Sequence, residues 1–137
     1  MNIYFACSIT GGRNDQDVYQ QIVDSLLVDG HHVPTAILAT PQVMQLEGVV
    51  DPLVVYRRDV AWIEGCDLLV AEVSTPSHGV GYEIGYALGL GKPVLCIHRQ
   101  GVKVSKMILG NQDPNLRVFE YHNIDEAFVF VRSFIAG

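Results

Sequence analysis

The chain has 137 residues, 49% hydrophobic and 18% charged, with a formal net charge of −6. That is the length of one domain (residues 1–137), apolar enough to bury a core unaided, which excludes a disordered chain and a separate cofactor domain. No basic run offers the cationic surface needed to wrap a nucleic-acid backbone, and a pI of about 5.2 removes that class.

The first predicted strand is Asn2–Cys7, followed by a loop running from Ser8 to Asn14. Asp15 can cap a helix to Val28, where Val18, Ile22 and Leu26 recur at helical spacing, and Asp29-Gly30 stops it. His31–Pro34 reads as a weak second strand, and Thr35 to Val50 as a long loop with a short helix. Asp51-Pro52 supplies a cap and a first-turn proline for a helix to Ile63, ended by Gly65. Asp67–Val73 is a third strand, apolar almost throughout, as a strand covered on both faces should be. A polar loop, Ser74–Gly79, leads into a glycine-studded helix to Leu90. Val94–His98 is the fourth strand, Val104–Leu109 a helical turn, Arg117–Tyr121 the fifth strand and Asp125–Ile135 the closing amphipathic helix.

Strands alternating with helices imply a parallel sheet with helices on both faces. The expected fold is α/β, a flavodoxin-like (Rossmann-like) three-layer sandwich with five strands in the order 2-1-3-4-5. Ligands in such sheets bind beyond the carboxyl ends of the strands, at the switch point between strands 1 and 3. That rule selects the loops Ser8–Asn14 and Ser74–Gly79.

The second loop opens the run Ser77-His78-Gly79-Val80-Gly81-Tyr82-Glu83-Ile84-Gly85. A helix start with a serine and two close glycines suits an anion. It is not a dinucleotide fingerprint, because Ile84 stands where the third glycine belongs. Glu83 is expected in the first turn, either complementing the helix dipole or serving as a reactive carboxylate. Asp59 interrupts an apolar stripe beside Arg57 and Arg58. It reads either as a surface ion pair or as a cleft carboxyl whose raised pKa lets it donate a proton. Tyr4 is either core or catalytic. Ser8 with Gly11-Gly12 forms either a second backbone cradle or a plain turn. The five histidines lack metal-ligand spacing, and Cys7, Cys66 and Cys96 form no C-x-x-C pair. Reduced thiols, no signal-peptide pattern and no membrane-length apolar run give the expectation of a cytoplasmic protein.

The blocks Tyr4–Arg13, Arg58–Trp62, Ala71–Gly85, Gly91–Cys96 and Val104–Gly110 together resemble the nucleoside 2-deoxyribosyltransferase superfamily. Within it the chain is most similar to the branch of 2′-deoxynucleoside 5′-phosphate N-hydrolases. The resemblance implies a homodimer that cleaves the N-glycosidic bond of deoxynucleotides without metal or organic cofactor. It implies Glu83 as the nucleophile forming a covalent deoxyribosyl intermediate, Asp59 as the group protonating the leaving base, and Tyr4 as the residue orienting the nucleophile. The implied phosphate and substrate contacts are Ser8, Ile9, Thr10, Gly11, Arg13, Ser77, Gly79 and, from the neighbouring subunit, Ser105. The chain departs from that branch at Thr10, where the branch carries arginine, near Ala36, where the branch carries histidine, and at Gln21, where the branch has a basic residue. Base exchange on unphosphorylated deoxynucleosides and nucleotide binding without turnover are the competing expectations.

Overall fold

A computed structural model describes residues 1–9 and 15–137. Four strands form one parallel sheet: β1 (Ile3–Ala6), β2 (Leu68–Glu72), β3 (Val94–Arg99) and β4 (Leu116–Tyr121), in the order β1-β2-β3-β4. The helices are α1 (Gln16–Val28), α2 (Val43–Glu47), α3 (Pro52–Gly65), α4 (His78–Gly89), α5 (Lys106–Leu109) and α6 (Ile124–Ala136), with a 3-10 turn at Ala36–Ala39. Alternate strand residues feed two cores. Ile3 and Phe5 pack with α1 and α6, whereas Tyr4 and Ala6 pack with Ile63 of α3 and Val80, Ile84 and Ala87 of α4. The three layers follow from that two-residue period.

The expected second strand, His31–Pro34, does not form, so the sheet has four strands rather than five. That segment makes a single parallel bridge between Asn2 and His32, on the edge of β1 that faces away from β2. The position matches the order 2-1-3-4-5, but the ladder stops there. Pro34 has no N–H to donate, and the Phe5 amide is taken by the Thr35 hydroxyl at 3.0 Å, leaving no ladder bond to extend.

The caps fall largely where the sequence puts them. Asp51 accepts from the Leu53 amide at 2.8 Å with Pro52 in the first turn, and Gly30 and Gly91 close their helices at φ 87° and 74°. Asp15 is an exception: it precedes α1, but its carboxylate bonds the Thr75 hydroxyl (3.0 Å) and Arg99 Nε (3.1 Å) instead of the helix. A second correction concerns α4. Its cap is Ser77, whose hydroxyl accepts from the Val80 amide at 3.3 Å, so the helix starts at His78. Glu83 is then the sixth residue, on the second turn, too far along to complement the unpaired amides of the first.

Candidate active site

Strand β1 turns Tyr4 toward the face that α3 and α4 cover, and the Tyr4 hydroxyl donates to Glu83 Oε2. Glu83 is half-buried, and burial pushes its carboxyl up to about 8. The Tyr4 hydroxyl acts the other way, since a donor favours the ionised oxygen. A carboxyl so placed is a stronger nucleophile once ionised than a solvated one, because less water must be shed before it attacks.

A cavity of about 440 Å³ lies above this pair, between the ends of β1 and the helices α3 and α4. Glu83, Asp59, Ile9, Ser77 and Gly79 all line it. Asp59 is 20% exposed and accepts from Arg58 Nε at 2.8 Å, so the ion pair and the cleft carboxyl, competing readings of the sequence, are both present. Burial pushes the Asp59 carboxyl above its usual value, against the pull of Arg58 and with help from the like charge of Glu47. Tyr56 and Tyr82 edge the cavity with ring centroids 6.4 Å apart.

The remaining expected contacts are spread more widely. Ser8 is wholly buried at the end of β1 and is not among the cavity-lining residues. Thr10, Gly11 and Arg13 lie outside the described residues. Ser105 caps α5, accepting from the Met107 amide at 3.2 Å, and lines a second cavity of about 460 Å³ on the other flank of the α4 start. Ser77 and Val80 line both cavities. Among the described residues no three His, Cys, Asp or Glu side chains group as a metal site would require.

Two carboxylates escaped the sequence reading. Glu47, from the stretch read as loop, lines the first cavity and pairs with Arg58 Nη1 at 2.9 Å. Glu72, fully buried at the end of β2, accepts from the Ser74 amide (2.6 Å), the Ser74 hydroxyl (3.0 Å) and the Tyr121 hydroxyl. An ionisable residue inside the apolar run DLLVAEV was its available signal. The Ser74 hydroxyl also accepts from the Arg99 amide at 2.9 Å, which ties the ends of β2 and β3 together beneath the cleft.

The family profile described as "Nucleoside 2-deoxyribosyltransferase" matches residues 3–118. The chain belongs to that family. A mouse relative, "5-hydroxymethyl-dUMP N-hydrolase", is 42% identical over 127 residues, covering 88% of this chain and 72% of its own. A Methanosarcina mazei relative named for 2′-deoxynucleoside 5′-phosphate N-hydrolysis is 41% identical over 120 residues, covering 88% and 74%. Among solved structures, the Clostridium botulinum CMP N-glycosidase BcmB superposes with a TM-score of 0.72 over 96% of this chain and 98% of that one. At 19% identity, that likeness speaks to the fold alone.

Proposed function

We propose that this deoxyribosyltransferase-family member hydrolyses the N-glycosidic bond of 2′-deoxynucleoside 5′-monophosphates, releasing the base and 2-deoxyribose 5-phosphate. The observation that carries the reading is the joining of Tyr4 to Glu83 at the floor of a cavity that Asp59 also lines. Ionised Glu83 attacks the anomeric carbon as the carbon–nitrogen bond breaks, and Asp59 delivers its proton to the departing base. Water then adds to the anomeric carbon, the ester to Glu83 breaks, and the water's proton returns to Asp59. Without a 2′-hydroxyl the sugar reaches an oxocarbenium-like state readily, so two carboxyls suffice.

The 5′-phosphate sits at the start of α4, where Ser77 accepts from the Val80 amide and keeps its own proton to donate, and where Gly79 leaves room. Ile9 lines the same cavity, and the family resemblance assigns Ser8, Thr10, Gly11 and Arg13 of the first loop to the same ligand. The working unit is a homodimer, with Ser105 of one subunit serving the neighbouring cavity. Exposed Leu53, Val54 and Tyr82, each at least half accessible on α3 and α4, support a partner on that side. Three buried cysteines that form no C-x-x-C pair suit a cytoplasmic enzyme.

The test is product analysis with dGMP and with deoxyguanosine, each with and without free adenine. Guanine and 2-deoxyribose 5-phosphate from the monophosphate alone are expected. Adenine deoxyriboside formed in preference to free sugar would make the protein a transferase instead.

A further inference from the structure

Arg58 stands between two carboxylates that come from different elements. Its Nε reaches Asp59 at 2.8 Å, its Nη1 reaches Glu47 of α2 at 2.9 Å, and its guanidinium lies 4.8 Å above the Trp62 ring. Its Nη2 is buried without a partner among the described residues. Glu47 is only 15% exposed and lines the same cavity as Asp59. Packing against Trp62 fixes the plane of the guanidinium, so the two carboxylates divide a cation that does not turn freely between them.

This division matters because a proton donor beside an undivided cation is a poor donor. A guanidinium committed wholly to Asp59 would hold it as a carboxylate, with no proton for the base. We propose that Glu47 is a positioning residue for base release: by holding one arm of Arg58 and adding its own negative charge, it raises the share of Asp59 that carries a proton. The inference rests on the reading of Asp59 as proton donor. The other ionisable groups facing Asp59 across the cavity are Tyr56 on its own helix, Glu83 and Tyr82 on α4, and Cys7 at the end of β1.

The pH profile separates these groups. Among the described residues no cation pairs with Glu83, whereas Asp59 has Arg58 beside it, so Asp59 ionises first. Turnover of dGMP needs the opposite state, with Glu83 ionised and Asp59 protonated. Its kcat/KM therefore follows a bell whose lower limb belongs to Asp59, whose upper limb belongs to Glu83 near pH 8, and whose plateau falls as the limbs separate. A 4-nitrophenyl 2-deoxyriboside 5-phosphate loses its phenolate without a proton. It should show only the rising limb near pH 8.

Glu47→Gln keeps the shape and removes the charge. With dGMP it should move the lower limb about one pH unit toward acid and lower the plateau about tenfold. The loss on the nitrophenyl substrate should be several-fold smaller. Arg58→Gln removes the cation and should move the same limb toward alkaline pH. The two opposed shifts together are a signature that general damage to the fold cannot produce. An unmoved lower limb in both variants, or shifts in the same direction, overturns the role of Glu47. Asp59→Asn is the control for the underlying reading: it should slow dGMP far more than the nitrophenyl substrate. Equal losses in Asp59→Asn would remove the donor role and the inference with it. A discriminating Asp59→Asn with an unmoved limb in Glu47→Gln would sink the inference alone.

Discussion

Tyr4 owes its position to a period of two: its neighbours Ile3 and Phe5 face α1 and α6, and it alone among the three reaches Glu83. A hydrogen bond to a charged group contributes about 1.5–3 kcal/mol, so Tyr4→Phe should slow turnover roughly ten- to a hundredfold. It should also move the rising limb above pH 8, because the donor that favours ionised Glu83 is gone. Steady-state profiles with the nitrophenyl substrate check both. Glu83→Gln should abolish turnover and leave a trace in stability as well. The Glu83 carboxyl is raised from 4.5 to about 8 in the folded protein, so folding favours its protonated form. The wild type then loses stability as pH rises from about 4.5 to about 8, while a glutamine has no proton to lose. The variant's melting temperature should match the wild type's below that window, gain on it within, and keep a constant lead above it. A lead that did not change with pH would mean that Glu83 is not held protonated by burial.

Helix α4 shows how one element serves two demands. It carries four glycines from His78 to Gly89, a costly composition for a helix, yet an added Cβ at Gly81, Gly85 or Gly89 meets nothing within 4 Å. Gly85→Ala, in the helix interior, should therefore raise stability by about 0.5–1 kcal/mol, measurable as a higher denaturant midpoint at an unchanged slope. The sequence made some ends of such elements readable and hid others. Asp51-Pro52, Gly30 and Gly91 act through their own backbone and neighbours, so local chemistry sufficed to place them. The carboxylate of Asp15 also looks like a local cap, but Thr75 and Arg99, distant in sequence, claim it. The expected second strand failed because Pro34 has no N–H and because Thr35 accepts from the Phe5 amide, a bond that pattern alone cannot show. Glu83 moved by a turn because Ser77 outcompeted the glycines as the start of α4. Its partners Tyr4 and Asp59 were readable as residues, but their meeting in one cavity depended on the packing of three elements. Glu47 was hidden in a stretch without periodicity.

At the scale of the whole molecule, a chain of net charge −6 binding a phosphate must rely on local donors placed with care. The start of α4 stands between two cavities, and Ser77 belongs to both. Ser105 of the same chain lines the cavity that Glu83 does not. Two arrangements can bring a Ser105 hydroxyl to the phosphate: the chain's own, across Ser77, or that of the partner subunit, reaching the cavity of Glu83. Subunit mixing distinguishes them. Ser105→Ala should weaken turnover of the monophosphate roughly ten- to a hundredfold, the usual range for a lost hydrogen bond to a charged group. Glu83→Ala should have no turnover. In a mixed dimer with Ser105 acting across subunits, one cavity carries both defects and the other carries neither. Verified exchange between the two variants should therefore restore activity toward half that of a wild-type dimer. With Ser105 acting within its own chain, every cavity of the mixed dimer keeps one defect, and mixing should give no more than the average of the parents. Recovery assigns Ser105 to the partner's site, and its absence after proven exchange removes that assignment.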